Sequence, residues 1–188
     1  TPFLTPHTKR ELNTREKKDI LPEHNEQIPV VPQILTNKWE DFLWTAGHLK
    51  EYGYTEINWN VGCPAKTVVS KNRGSGFLAF PEEMDEFLYR VFEKTDLKIS
   101  VKTRIGRDQP EEFGRLLEIY EKYPLEELIV HPRTQKDFYG NTPNLDVFAE
   151  AAKCQKFPII YNGDIQSYMD LQRIQERFPE ISYYMMGR

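Results

Sequence analysis

Short apolar runs alternate with amphipathic stretches along most of the chain. Each run is brief enough for a buried strand, and several are rich in β-branched residues. The six clear runs cover residues 30–35, 56–60, 98–102, 128–131, 158–162 and 183–186. They predict six strands, and residues 1–5 could supply a seventh.

The segments between these runs carry apolar residues at helical spacing. Met84, Phe87, Leu88 and Val91, for example, fall on one face of a single helix. The predicted helices cover residues 39–52, 81–94, 110–123, 145–153 and 168–178. Alternating strands and helices with connections of this length predict right-handed βαβ units and a parallel sheet. Residues 6–28 are polar and irregular, and could hold a helix around residues 9–18.

Polar or reactive residues follow every predicted strand, where its carboxyl end would lie. In chain order they are Gln33; Asn58, Asn60 and Cys63; Lys102 and Arg104; His131 and Arg133; Asn162 and Asp164; and Gly187 and Arg188. In a (β/α)8 barrel all these ends open on one face, where such folds build active sites. A doubly wound sheet also fits six strands, but it concentrates its site at one switch point. The distribution therefore favours the barrel.

Taken singly, most of these residues have an ordinary structural interpretation. His131 could be a satisfied core histidine, and Asn162-Gly163-Asp164 could be a plain turn. Lys102 is more suggestive, because it alternates with Ser100 along a predicted strand instead of lying in a loop. Only their occurrence together at successive strand ends predicts a site.

Cys63 differs from the other cysteine of the chain. It lies between Gly62 and Pro64 just after a predicted strand, so its thiol is expected to face the site. Cys154 falls within a predicted helix and is expected to be inert. Two cysteines are too few for a disulfide framework or a cysteine-rich zinc site, so we expect no metal and a reducing cytoplasm.

The composition limits the classes of partner that the chain is expected to bind. Hydrophobic residues make up 39% of the 188 residues and charged residues 29%, as in globular proteins. No apolar run approaches the length of a membrane helix. The net charge of −4 gives no global case for nucleic-acid binding, so such a partner would need a local basic patch or a domain outside this chain.

Seven motifs together resemble the tRNA-dihydrouridine synthase family, and they occur in the family's order from about residue 29 onwards. They are Gln33 in Val-Pro-Gln-Ile, Asn60-Val61-Gly62-Cys63-Pro64, Gly74-Ser75-Gly76-Phe77-Leu78, Val101-Lys102-Thr103-Arg104, His131-Pro132-Arg133-Thr134 with Tyr139, Asn162-Gly163-Asp164-Ile165, and Met186-Gly187-Arg188. The first 28 residues match only loosely.

The resemblance implies an α/β fold of the (β/α)8 TIM-barrel type that binds FMN. By that comparison residues 1–188 form an incomplete catalytic barrel, without the family's first strand, its last barrel elements and its C-terminal helical tRNA-binding domain. The implied reaction reduces a uridine of tRNA to 5,6-dihydrouridine, with NADPH as the usual source of electrons. We therefore expect tRNA as the partner of a monomeric cytoplasmic enzyme that does not associate with membranes.

On the substrate side, the resemblance makes Cys63 the catalytic acid and has Asn60 and Arg133 facing the uridine. Hydride addition at C6 of the base builds negative charge on C5 and O4, so an acid must stand opposite the flavin. Cysteine thiols are mostly protonated near neutral pH, which suits that role.

On the cofactor side, Gln33 and Lys102 would contact the pyrimidine edge of the flavin ring, and His131 would lie beside the ring. A lysine at that edge stabilises the reduced flavin. Backbone N–H groups of glycines suit a phosphate, and barrels commonly bind phosphate with the loops after strands seven and eight. The ribityl chain and phosphate would be held by Asn162, Gly163, Asp164, Gly187 and Arg188.

Three positions depart from the family pattern. Asp137 stands where the family usually has Gln, Leu145 where a Trp is common, and Asn58 where Asp is frequent. These departures concern the substrate more than the flavin. Two alternatives therefore stay open: an FMN barrel that reduces a free pyrimidine or another small molecule, as dihydroorotate dehydrogenases do, and a barrel that binds RNA or a partner without turnover.

Overall fold

A parallel sheet with its strands in chain order forms the centre of the molecule. The computed structural model describes residues 3–6, 12–26 and 28–187. The strands are β1 (Gln33–Ile34), β2 (Glu56–Val61), β3 (Lys98–Arg104), β4 (Leu128–His131), β5 (Ile159–Tyr161) and β6 (Tyr183–Tyr184). Each strand pairs with the next one along the chain. A doubly wound sheet reverses its strand order, so the observed order confirms the predicted barrel-type architecture, here as part of a (β/α)8 barrel.

The N-terminal segment extends the sheet by a single bridge beside β1. Leu4 pairs in parallel with Ile34, its N–H donates to the Gln33 carbonyl at 2.7 Å, and its carbonyl accepts from Leu35 at 2.8 Å. Of the seventh strand predicted over residues 1–5, the structure thus has one paired residue, and residues 1 and 2 lie outside the described part.

Helices cover the outer face of the sheet. They are α1 (Thr14–Ile20), α2 (Trp39–Glu51), α3 (Lys66–Val69), α4 (Pro81–Lys94), α5 (Phe113–Tyr120), α6 (Leu145–Ala152) and α7 (Tyr168–Arg177). The five long predicted helices are present with small shifts at their ends. The helix that residues 9–18 could hold occurs as α1, displaced toward the C-terminus, and residues 7–11 lie outside the described part.

The loop after β2 is more ordered than its sequence predicts. It holds α3 and a 3-10 helix, Gly74–Ala79, neither of which has the apolar periodicity that identifies longer helices. The 3-10 helix packs into the core through Phe77, whose ring lies edge-on to Trp59 with the centroids 6.0 Å apart. Trp59 also stacks on Phe87 of α4 at 4.0 Å. This packing fixes the loop that carries Cys63 against the sheet.

Register aligns the polar strand ends across the sheet. Asn60 of β2 pairs with Lys102 of β3, and Arg104 of β3 pairs with His131 of β4. Because all strands are parallel, these ends lie on one edge. Within the described ranges, no helix is both long and apolar enough to cross a membrane.

Candidate active site

A cavity of about 220 Å³ opens at the carboxyl ends of the strands. Five successive strand ends and the N-terminal segment contribute to its wall. The lining residues are Phe3, Asn60, Gly62, Cys63, Pro64, Lys102, Arg104, His131, Tyr139, Asn162, Gly163, Asp164, Ile165, Gln166, Met185 and Gly187. Eight of the eleven predicted site residues are thus brought together. Gln33 and Arg133 do not line the cavity, and Arg188 lies outside the described residues.

The backbone of Cys63 is held on both sides. Its N–H donates to Oδ1 of Asn60 at 3.0 Å, and its carbonyl accepts from the Ser75 N–H at 3.0 Å and the Ser75 hydroxyl at 2.9 Å. Gly74 makes this approach possible, since it has a φ of +53° and a Cβ there would lie 2.6 Å from the Cys63 carbonyl oxygen. The half-buried thiol therefore borders the cavity from a fixed backbone.

A chain of side-chain amides runs under this loop. Asn58 donates to the Ser100 hydroxyl at 3.0 Å and accepts from Nε2 of Gln33 at 2.7 Å. Oε1 of Gln33 accepts from Nδ2 of Asn60 at 2.6 Å, which leaves Oδ1 of Asn60 for the Cys63 loop. Gln33 therefore reaches the site through Asn60, and Asn58 fixes which end of the Gln33 amide faces Asn60.

Lys102 is the least satisfied cation of the cavity. Its ammonium makes no hydrogen bond or ion pair with any residue that the structure describes. Burial and, to a smaller extent, the charge of Arg104 lower the pKa of Lys102 to about 8, while Cys63 acts in the opposite direction. A desolvated amine with free donors suits an electron-rich or anionic ligand.

Arg104 is a cavity residue to which sequence reasoning gave no role. Its Nε donates to the Gly62 carbonyl at 3.0 Å and its Nη1 to the Thr134 carbonyl at 2.8 Å. The guanidinium carbon lies 5.4 Å from the centroid of the Tyr139 ring, and burial lowers the pKa of Arg104 to about 10. Its position two residues after Lys102 was the available signal, because alternate residues of a strand share a face.

His131 is held in one neutral tautomer. Nη1 of Arg133 lies 3.0 Å from Nε2 of His131, and an arginine can only donate, so Nε2 is the acceptor and the proton resides on Nδ1. Burial lowers the pKa of His131 to about 3, and the neighbouring charges of Arg104, Lys102 and Arg133 act in the same direction. The ring is therefore neutral at physiological pH and carries its N–H on Nδ1.

Arg133 occupies a different place from the one that its predicted contact with uridine requires. Its side chain is 2% exposed, and all five of its N–H groups are used inside the protein. The acceptors are the Gly140 carbonyl at 2.8 Å, Nε2 of His131 at 3.0 Å, the Asn141 carbonyl at 2.6 Å, and the two carboxylate oxygens of Asp164 at 2.9 and 2.5 Å. With no donor left over, Arg133 braces the site from behind and does not face a substrate in this geometry.

The ends of β5 and β6 add backbone donors. Nδ2 of Asn162 donates to the Met185 carbonyl at 2.8 Å and ties the two loops together. The N–H groups of Gly163 and Gly187 make no hydrogen bond inside the described ranges, and both residues line the cavity. The wall therefore combines unpaired N–H donors with Lys102, and the one carboxylate among its described residues, that of Asp164, is neutralised by Arg133. Such a surface suits an anion.

Comparisons with known proteins agree with this arrangement. Over 118 residues the chain is 33% identical to tRNA-dihydrouridine synthase B of Pseudomonas syringae pv. tomato, covering 62% of this chain and 35% of the relative. Over 187 residues it is 28% identical to tRNA-dihydrouridine(20/20a) synthase of Vibrio vulnificus, covering 92% of this chain and 56% of the relative. The matched part of the chain thus spans from about a third to somewhat more than half of the length of these relatives.

The match to a family as a whole is more extensive. The family model described as dihydrouridine synthase matches residues 3–187, which include all seven sequence motifs apart from the final Arg188. Because that match runs over almost the entire chain, the chain belongs to the dihydrouridine synthase family.

Proposed function

We propose that this protein reduces a uridine of tRNA to 5,6-dihydrouridine, using FMN and electrons from NAD(P)H, with Cys63 as the proton donor. The observation that carries the proposal is the joint position of the Cys63 thiol and the unpaired Lys102 ammonium in the wall of one cavity. Membership of a family that depends on FMN and NAD(P)H supports it. A cytoplasmic location and a monomeric state are part of the same proposal.

The donors of the cavity fit FMN. Lys102 would contact the electron-rich pyrimidine edge of the ring, His131 would donate from Nδ1, and Gln33 would act through Asn60. The phosphate and ribityl chain would be held by Asn162, Gly163, Asp164, Gly187 and Arg188. At about 220 Å³ the cavity is smaller than the roughly 300 Å³ of the smallest ligand pockets, so this chain encloses only part of the cofactor. Bound FMN supplies the hydride that adds to C6 of the uridine.

The proton that is added to the uracil ring comes from a side chain of the protein. As charge builds on C5 of the uracil ring, the S–H bond of Cys63 breaks, C5 takes the proton and a thiolate remains. Lys102 and Arg104 line the same cavity as Cys63, so positive charge is available near the thiolate that remains. Asn60 and Ser75 hold the backbone of the cysteine, which keeps the thiol aimed at the base during the step.

RNA is favoured over a free pyrimidine by the charges beside Cys63. No acidic residue occurs between Glu56 and Glu82, whereas this segment contains Lys66, Lys71 and Arg73. None of the three cations forms an ion pair with a described residue. In a chain with a net charge of −4, this local excess of positive charge at the strand ends suits a polyanion. The helical domain of the family, outside residues 1–188, would supply further tRNA contacts.

The proposal is tested with the full-length protein and a strain that lacks it. The purified protein should be yellow, and mass spectrometry of tRNA from the deletion strain should show a dihydrouridine missing. Cys63→Ala should keep the flavin and accept electrons from NADPH, but form no dihydrouridine, while Cys154→Ala should behave as wild type. A complete set of dihydrouridines in the deletion strain, with turnover of orotate or uracil by the purified protein, would support the small-molecule alternative instead.

A further inference from the structure

Two aromatic side chains stand at the rim of the cavity. Phe138 is 44% exposed and Tyr139 46%, and their rings meet edge to face with centroids 4.8 Å apart. Tyr139 lines the cavity and its ring faces the guanidinium of Arg104, whereas Phe138 contacts Tyr139 without lining the cavity itself. Large apolar rings that remain exposed beside a binding site commonly mark an interaction surface.

The backbone at Phe138 is strained. Its φ is +54°, in the left-handed region that bulky side chains rarely adopt. Asn141 has a φ of +57° three residues later, so the chain turns back on itself there. Strain of this kind persists only where the surrounding structure enforces it, and it concentrates at functional sites.

Hydrogen bonds on both sides enforce this loop. Oδ2 of Asp137 accepts from the Thr134 N–H at 2.8 Å and from its hydroxyl at 2.9 Å, and Oδ1 accepts from Asn141 at 2.6 Å. The buried Arg133 donates to the carbonyls of Gly140 and Asn141. The loop thus holds its aromatic residues in a fixed orientation, which lowers the entropic penalty of binding a flat partner.

We propose that Phe138 is a stacking platform for the base of a nucleotide adjacent to the target uridine, so that a single-stranded RNA segment is the occupant of this rim. The inference rests on the proposed function, and it specifies how that site would distinguish RNA from a free base. A nucleobase next to the target leaves its own stack when the uridine enters the cavity, and an exposed aromatic ring replaces the lost stacking. Tyr139 continues the same aromatic surface into the cavity, and the guanidinium of Arg104 lies 5.4 Å from the centroid of its ring.

The test uses full-length holoenzyme and an RNA oligonucleotide that contains the target uridine. Phe138→Gly removes the ring, and glycine adopts a positive φ freely, so the loop conformation is retained. The dissociation constant, measured by fluorescence anisotropy, should rise roughly tenfold, the scale of one base–aromatic stack. The rate at saturating RNA should change little. Tyr89→Ala, which removes a 53% exposed tyrosine from α4, is the matched control and should bind as wild type.

Abasic substrates identify the stacked base. An abasic residue at one position beside the target should weaken binding to wild type by the same factor, and should weaken binding to Phe138→Gly no further. Equal losses in both proteins, or unchanged binding of intact RNA by Phe138→Gly, would overturn the stacking role. If wild type forms dihydrouridine and Phe138→Gly binds the RNA as tightly as wild type does, this inference alone is overturned. Absence of dihydrouridine in wild type overturns the proposed function, and the anisotropy comparison still decides the stacking.

Discussion

Replacement of His131 by glutamine should reduce the acid sensitivity of the fold. The buried imidazole has a pKa of about 3, whereas an unfolded histidine titrates near pH ~6.5. Below pH ~6.5 His131 therefore binds a proton in the unfolded chain but not in the folded chain. The free energy of unfolding consequently falls as the pH drops toward 3. A protonated ring would also present an N–H to Nη1 of Arg133, which has no acceptor capacity.

The size of the effect follows from the gap between the two pKa values. Each pH unit below ~6.5 removes about 1.4 kcal/mol, so the loss from this one residue is about 2 kcal/mol at pH 5. His131→Gln keeps a carbonyl acceptor for Arg133 and does not titrate. Between pH 8 and pH 5 it should therefore lose about 2 kcal/mol less than wild type.

The assay is urea denaturation of the flavin-free full-length protein at pH 8, 6.5 and 5, with unfolding free energies from linear extrapolation. His24→Gln, which removes an exposed histidine from the 3-10 turn after α1, is measured in parallel. Comparing each variant with wild type at the same pH cancels the titration of all other groups. If the free energy of unfolding falls by the same amount between pH 8 and pH 5 in wild type and in His131→Gln, the conclusion that His131 is buried and neutral in the folded protein is refuted.

Three further changes probe other parts of the site. At pH 8 about half of the Lys102 side chains are neutral in the apoprotein, so FMN binding should be accompanied by uptake of as much as roughly half a proton per site. Calorimetry in two buffers of different ionisation enthalpy measures this uptake, and it should be absent in Lys102→Gln. Gly74→Ala should abolish most dihydrouridine formation and destabilise the protein by about 1–3 kcal/mol, because the new Cβ meets the Cys63 carbonyl, whereas Gly47→Ala in open space should not lower the melting temperature. Arg133→Lys should lower the unfolding free energy by about 3 kcal/mol or more, since lysine replaces none of the forked contacts; a loss under 1 kcal/mol would contradict its bracing role.

The sequence predicts the positions of the strand ends because their pattern is local. A short apolar run followed by a polar residue marks the end of a buried strand, and parallel pairing then brings Asn60, Lys102 and His131 to one edge. Eight predicted residues therefore meet in one cavity. The same rule places Arg104 among the strand-end residues, but it gives Arg104 no role, although Arg104 shares a face of β3 with Lys102.

The place of Arg133 could not be predicted, because it depends on contacts that sequence spacing does not reveal. The carbonyls of Gly140 and Asn141 reach the guanidinium only because Phe138 and Asn141 adopt positive φ, and Asp164 arrives from a different strand end. A strand-end arginine that binds a substrate and one that braces a loop have the same sequence pattern. The count of free N–H donors separates the two roles, and it requires coordinates.

The three residues that depart from the family pattern lie at different positions in the structure and make different contacts. Asn58 contacts Gln33 and Ser100, so it orients the amide chain that leads to Asn60 and Cys63, and an aspartate there could accept from the same two groups. The Asn58 departure therefore concerns how the loop that carries Cys63 is held more than which substrate is bound.

Asp137 and Leu145 follow β4 along the chain, and neither of them lines the cavity. Asp137 caps Thr134 and holds the loop that carries Phe138 and Tyr139 at the rim, while Leu145 begins α6 and packs against the core. If the rim stacks on a base beside the target uridine, then Asp137 acts on substrate choice through the orientation of that loop. Asp137→Gln, the residue usual in the family, should then change the preference among RNA sequences while leaving FMN binding intact, and an altered FMN affinity would instead tie this loop to the cofactor.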